Sequence, residues 1–79
     1  MRSKTPKAVA TFASSSDALA VESQARDGGI PGRAIPVPSE IAAGCGIAWC
    51  VPAAERDVLE AALRERGLAF EGMHEVYLY

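Results

Sequence analysis

Residues 46–52 read GIAWCVP, and this stretch decides the fold. Large and small side chains alternate from Ile47 to Val51, which is the period-2 pattern of a β-strand with one covered face. Pro52 then favours the first turn of a helix, because its missing N–H would be unpaired there in any case. The stretch therefore predicts a strand that leads directly into a helix.

The chain beyond Pro52 continues this pattern. An apolar stripe at helical spacing is formed by Val58, Leu59, Ala62 and Leu63. Glu60 and Arg64 are an i, i+4 pair for the solvent side of the same helix. Gly67 is a typical helix stop. We therefore expect a helix up to Gly67 and a last strand over about residues 70–78.

The first half of the chain predicts a second set of elements. Residues 7–13 (KAVATFA) form a short apolar run, which indicates a strand. Serines at positions 14 and 15 are candidate N-caps for a helix over about residues 16–27, whose apolar face is Ala18, Leu19, Ala20, Val21 and Ala25. Residues 33–38 (RAIPVP) indicate an edge strand, because two prolines remove ladder donors.

The order strand, helix, strand, strand, helix, strand predicts an α+β fold. We expect a ferredoxin-like β-α-β-β-α-β sandwich, an antiparallel sheet with both helices on one face. The other face would be open and could dock a partner, with candidate residues Trp49, Met73, Tyr77 and Tyr79. Residues 1–7 are expected to form a flexible N-terminus and residues 8–79 a single domain.

Composition excludes several classes of function. A net charge of −2, with the basic residues scattered, predicts no nucleic-acid binding. The apolar run after the basic N-terminus contains Thr11 and ends in serines, so we expect no secretory signal. No segment is long and apolar enough to predict a membrane helix, and the cytoplasm is the default location. The apolar content is rich in alanine and predicts a thin core, which favours a homodimer.

The motif Gly44-Cys45-Gly46 is the candidate reactive site. Glycines on both sides let a sulfur-bearing group approach Cys45 closely and permit backbone angles at which N–H groups converge on the sulfur. Such donors favour the thiolate, which is the reactive form. The alternative interpretation is a structural cysteine in a glycine-rich turn.

Cys50 has a different expected role. In an extended chain it would lie roughly 16 Å from Cys45, whereas a disulfide needs Cα atoms within about 7 Å. Strand alternation also places Cys45 with Ile47 and Trp49, and Cys50 on the opposite face. We interpret Cys50 as a small core residue. The alternative is a resolving thiol, which would require the turn before the strand to fold back.

No cofactor or metal site is predicted. Two cysteines and one histidine do not supply the four ligands that structural zinc usually takes, and His74 is expected to be structural or exposed. Glu22, Glu40 and Glu71 show no spacing for paired acid–base work, and no phosphate loop or dinucleotide motif is present.

Residues 35–49, IPVPSEIAAGCGIAW, resemble a family of small bacterial proteins described as putative selenium/sulfur carrier protein-like. The family pattern is a proline-containing strand, a polar and small stretch, then Cys-Gly before an apolar strand. The likeness also includes residues 11–12, 16–22, 29–33 and 70–72, so it covers nearly the whole chain after residue 7. The resemblance implies that Cys45 carries sulfur or selenium as a persulfide or selenenyl sulfide. Cys50 has no counterpart in the pattern.

Three functions follow as hypotheses. The first is a carrier rather than a true catalyst, which takes sulfur or selenium from a donor protein and passes it to an acceptor protein. The second is a non-enzymatic regulatory or protein-interaction domain that docks through the open sheet face. The third is a thiol–disulfide switch that uses both cysteines. The carrier needs Cys45 alone, the switch needs both thiols, and the interaction domain needs neither.

Overall fold

A computed structural model describes residues 3–41 and 45–79. Its elements are β1 (Thr5–Thr11), α1 (Ser15–Ala25), β2 (Arg33–Pro36), β3 (Ile47–Pro52), a 3-10 turn (Ala53–Glu55), α2 (Arg56–Glu65) and β4 (Gly72–Leu78). The strands form an antiparallel sheet in the order β2-β3-β1-β4. The predicted α+β class is confirmed, and the element order is compatible with the predicted sandwich.

Strand β2 lies at one edge of the sheet, as its prolines predicted. It pairs only with β3, from Arg33 opposite Cys50 to Pro36 opposite Ile47. A proline has no N–H to donate. At the edge of a sheet this missing donor does not interrupt the hydrogen bonds between two strands. The strand ends at Pro36, earlier than the predicted Pro38, although the amide of Val37 still donates to the carbonyl of Gly46 at 3.1 Å.

Both helices pack on the same face of the sheet, which we call the helix face. Their buried residues belong to one cluster with strand residues that alternate along β1 and β3. That cluster comprises Ala8, Ala10, Phe12, Ala18, Val21, Ile30, Trp49, Val51, Leu59 and Leu63. Each fully buried leucine contributes roughly 2 kcal/mol by removing apolar surface from water.

Helix α1 begins as the serine run predicts. The Ser14 side chain accepts a hydrogen bond from the amide of Asp17 at 3.3 Å, which satisfies one of the unpaired donors at the helix start. Ala18 and Val21 are buried, but Leu19 is 55% exposed, so its placement on the apolar face was wrong. Neighbouring positions on a helix are about 100° apart, and only one side of that stretch meets the sheet.

The transition from β3 to α2 differs from the prediction. Pro52 is the last residue of β3, opposite Lys7, and a 3-10 turn separates it from α2. At φ −56° and ψ 147° its backbone remains extended. Leu59 and Leu63 are buried, whereas Val58 is 56% exposed, so the buried stripe is narrower than predicted.

Strand β1 starts earlier than the sequence indicated. Thr5 and Pro6 lie before the predicted start of the strand at Lys7, but all three residues pair with β4, opposite Leu78, Tyr77 and Val76. The long β4 supplies partners for these residues. The strand therefore runs seven residues rather than starting at Lys7.

The opposite side of the sheet, which we call the second face, is partly covered. Val9, Ala48, Cys50 and Val76 are buried there, and Ile35, Val37, Ile41 and Leu78 pack around them. Val37 and Ile41 belong to the segment after β2, so this segment folds over a face that was expected to be open. The reason is that the second face carries its own aliphatic residues, which Val37 and Ile41 of this segment shield from water.

The predicted aromatic docking surface on that face is not present. Trp49 and Met73 contact the helix-face cluster, and Tyr77 shares their side by strand alternation. The Trp49 indole N–H donates to the carbonyl of Pro31 at 2.7 Å, which satisfies it in the core. Tyr79 lies beyond the end of β4, with the Lys4 ammonium 5.7 Å from its ring centre.

Candidate thiol site

Cys45 lies just before β3 and is partly exposed. Its side chain packs against the helix-face cluster together with Ile47, which agrees with the side expected from strand alternation. The packing restrains one side of the residue, while its partial exposure leaves the thiol within reach of solvent. This combination fixes the position of the sulfur without burying it.

The Cys45 thiol donates a hydrogen bond to the carbonyl of Ile47, with Sγ and O 3.2 Å apart. A carbonyl oxygen can only accept, so in this contact the thiol is the donor. Among the described residues no N–H group donates to the sulfur, although we expected such donors to converge there. The hydrogen bond of the thiol is therefore directed at the backbone of the strand that follows it.

Gly46 has a left-handed backbone, with φ +79°, one of the unusual conformations that a glycine permits. Apart from its two chain neighbours, no described atom lies within 4 Å of where a Cβ would stand, so Gly46 borders open space. Its carbonyl accepts from Val37, which joins the thiol loop to the end of β2. Gly44, the other glycine of the motif, lies outside the described residues.

The thiol lies at the end of the sheet where α1 begins. Thr11, the last residue of β1, pairs with Ala48 of β3, and only a few residues separate Thr11 from α1 and Ala48 from Cys45. The N-terminus of a helix carries a partial positive charge, which favours anions nearby. The fold thus brings a source of positive potential to the same end as the thiol.

Cys50 lies on the other side of the sheet. It is 5% exposed and belongs to the second-face cluster with Val9, Ala48 and Val76, as its predicted role as a small core residue requires. Both cysteines are free thiols. A disulfide between them would have to pass through the plane of the sheet, so this arrangement opposes the two-cysteine switch.

The environment of Cys50 suppresses its ionisation. Burial raises the pKa of this thiol above its ordinary value of 9.0, and the charges of Lys7 and Arg33 oppose that effect without cancelling it. Because the thiolate is the nucleophile, a buried thiol with a raised pKa reacts slowly. Cys45 is thus the accessible member of the pair.

We next considered metal-binding and membrane-spanning features in the part of the chain that the structure describes. No group of three or more potential metal-ligating side chains occurs among the described residues. Within the same residues no helix has the length and apolar character to cross a bilayer. His74 is exposed on β4, in keeping with its expected structural or surface role.

A shallow depression at the turn between α2 and β4 was not predicted. It is lined by Arg64, Gly67, Leu68, Ala69, Phe70 and Glu71. The Arg64 guanidinium lies 5.5 Å from the centre of the Phe70 ring and 2.9 Å from the carboxylate of Glu60, the pair that the helix pattern predicted. Since that charge is already paired, the described residues that line the depression offer a ligand no free cation.

The fold and the site together define a small α+β domain with one accessible thiol. The sequence model of the family described as "Putative Se/S carrier protein-like" matches residues 7–75, which include the whole thiol site. The chain belongs to this family, as the resemblance around Cys45 predicted. No curated protein and no solved structure matches the chain at a significant level.

Proposed function

We propose that the protein is a sulfur or selenium carrier and that Cys45 is its carrier residue. The observation that carries the proposal is the contrast between the two thiols of a chain that belongs to a family described by Se/S carriage. Cys45 is partly exposed beside open space at Gly46, whereas Cys50 is buried. A carrier needs one such accessible thiol and no cofactor of its own.

The proposed chemistry is an exchange between sulfur atoms. The Cys45 thiolate attacks the outer sulfur or selenium of a donor persulfide or selenenyl sulfide, and a new bond forms to Cys45 Sγ. The bond between the donor's cysteine sulfur and the outer atom breaks, and the donor leaves as a thiolate that takes up the proton released by Cys45. An acceptor nucleophile then removes the outer atom in the same way.

The hydrogen bond from Cys45 to Ile47 has a role in this scheme. The thiol must release this contact before it can attack a donor. The first turn of α1 lies at the same end of the sheet as Cys45. We infer that an approaching partner activates the thiol by replacing the Ile47 contact.

The proposal also predicts the partners of the protein and where they bind. Donor and acceptor proteins are the expected partners, and they must reach the end of the sheet where β3 and α1 begin. A carrier of this kind would work in the reducing cytoplasm, where free thiols persist.

We also assign the arrangement to the ferredoxin-like class, since each helix connects two strands that are separated in the sheet by one other strand.

The test is a loading experiment with intact-mass detection. The protein, Cys45→Ala and Cys50→Ala are each incubated with a cysteine desulfurase and cysteine, and then with a selenium-releasing lyase and selenocysteine. We expect an added sulfur or selenium atom on the parent protein and on Cys50→Ala, and none on Cys45→Ala. Reduction with dithiothreitol should remove the added atom, as expected for a persulfide or selenenyl sulfide.

The matched alanine variants make the result decisive. Circular dichroism and urea denaturation should show that Cys45→Ala remains folded, since its side chain lies at the rim of the core. A folded Cys45→Ala that still loads, or a parent protein that acquires no added atom from either donor, would sink the proposal.

A further inference from the structure

The second face of the sheet has an unusual distribution of charge. Arg33, Cys50, Val9 and His74 form one row across all four strands, and Lys7 lies in the next row, opposite Val76. Residues directly opposite each other on antiparallel strands have Cβ atoms about 5 Å apart. Of the strand positions on this face, all of them described, none is an aspartate or glutamate.

In the described part of the chain, the two permanent cations of this face have no acidic partner. Arg33 is exposed and Lys7 half-buried, and neither forms an ion pair with any described residue. Glu40 lies in the segment that covers part of the face, and it forms no ion pair with either cation. Arg33 lies directly opposite Cys50, and Lys7 lies two residues before Val9, the other strand partner of Cys50, so both charges are near the centre of the face.

Aliphatic side chains surround these charges. Ile35, Val37, Ile41 and Leu78 are each partly exposed at the rim of the buried second-face cluster. A surface that combines unpaired cations with partly exposed aliphatic groups fits a ligand that carries carboxylates and apolar side chains together.

The charges of Arg33 and Lys7 favour one kind of binding partner for the second face over others. A second copy of the chain would bring Arg33 and Lys7 against the same cations or each other, and like charges in contact oppose association. Nucleic acid is also a poor fit, because binding to a polyanion depends on neutralising many phosphates, and this face offers two permanent cations on a chain of net charge −2. An acidic protein segment needs only a few carboxylates.

We propose that the second face docks an acidic segment of a partner protein, whose carboxylates pair with Arg33 and Lys7 while its aliphatic side chains contact Ile35 and Leu78. This surface is separate from Cys45, whose side chain lies on the helix face. The inference therefore holds whether or not Cys45 carries sulfur or selenium.

The test is an NMR titration of the uniformly ¹⁵N-labelled full chain. The probe is a short synthetic peptide of aspartates and glutamates around a central Val-Leu pair, and a duplex DNA of equal charge is titrated separately. We expect the peptide to cause saturable shifts in β1, β2 and β4 around Lys7, Arg33 and His74, and added salt to weaken its binding.

Charge-reversal variants give the matched control. Arg33→Glu should weaken peptide binding by about tenfold or more. Arg56→Glu makes the same charge change at an exposed helix position and should alter affinity by less than about twofold. Each variant is checked for an unchanged pattern of amide shifts away from the substitution.

Four results would overturn the proposal. They are the absence of saturable shifts, shifts that map to the helices, equal losses in the two variants, and tighter binding of the DNA than of the peptide. Shifts on the second face that appear on raising the protein concentration alone would assign the surface to a second copy instead.

Discussion

Cys45 and Cys50 lie five residues apart, one just before β3 and the other within it, and their surroundings are opposite. Cys45 lies on the helix face beside a glycine with a left-handed backbone, and it is partly exposed. Cys50 lies on the second face, 5% exposed, in contact with aliphatic neighbours. A partly exposed cysteine thus lies just before β3, and a buried cysteine lies within it.

The difference shows that position in a strand, rather than residue type, determines what a thiol can do. The strand interior has neighbours on both sides and alternates between two covered faces, so a cysteine there becomes a small core residue. Cys45 lies before the first paired residue of the strand, and the neighbouring Gly46 borders open space. Chemistry that requires access is therefore confined to the residue before the strand.

The largest expected effect comes from adding a side chain at Gly32, next to the backbone of Cys50. Gly32 has φ +102°, and a Cβ there would stand 2.5 Å from the Cys50 carbonyl oxygen and 2.8 Å from the Trp49 indole nitrogen. We expect Gly32→Ala to lower the free energy of unfolding by about 3 kcal/mol, because both backbone strain and overlap must be relieved. Urea denaturation followed by Trp49 fluorescence measures the loss.

The control for this variant is Gly28→Ala. Gly28 also has a positive φ, +81°, but nothing lies within 4 Å of its added Cβ, so the cost should be only about 1 kcal/mol. Gly32→Ala should also speed alkylation of Cys50, since β2 and β3 would separate more often. Equal costs for the two variants would mean that the close contact at Gly32 is not real.

Much of this comparison could be predicted from the sequence. Alternation along residues 45–51 placed the two cysteines on opposite faces, and the prolines of β2 placed that strand at an edge. Both follow from local geometry, because a strand has a period of two and a proline lacks a donor. The glycine beside Cys45 was noted as permitting unusual backbone angles, and Gly46 has a positive φ.

Other features depend on contacts that local patterns do not contain. The spacing of apolar residues in α1 and α2 predicts a helix but does not say which edge of the stripe is buried, and so Leu19 and Val58 were placed inside when they are exposed. Covering of the second face by Val37 and Ile41 depends on how an irregular segment folds back. The hydrogen bond from Cys45 to its own strand has no signature in residue type.

The next largest effect concerns the open space beside Cys45. Gly46→Ala forces a side chain into a left-handed backbone and should lower the free energy of unfolding by about 1 kcal/mol. Gly67→Ala is the matched control, since Gly67 has φ +66° and equally open surroundings. Only Gly46→Ala should also slow alkylation of Cys45, because only this variant adds a methyl group to the residue that follows Cys45. The same alkylation rate in both variants would show that Gly46 contributes only its backbone.

The smallest expected effect is a change with pH in the contribution of Cys50 to the free energy of unfolding. Its raised pKa means that the unfolded chain loses the thiol proton first as pH increases. The stability that this residue contributes is complete below its ordinary value of 9.0 and is lost as pH rises through the higher folded value. The difference in free energy of unfolding between the parent protein and Cys50→Ala should shrink from pH 7.5 to pH 10. A difference that stays constant or grows would contradict the sheltered environment.

The most direct test of the account is the rate at which each cysteine of the folded parent protein reacts with a small alkylating reagent, resolved by tandem mass spectrometry of the peptide that contains both. Cys45 should react at least about tenfold faster than Cys50 at neutral pH, because only its sulfur is accessible without opening the sheet. In urea, where both are exposed, the two rates should become similar. A Cys50 that reacts as fast as Cys45 in the folded protein would contradict the account.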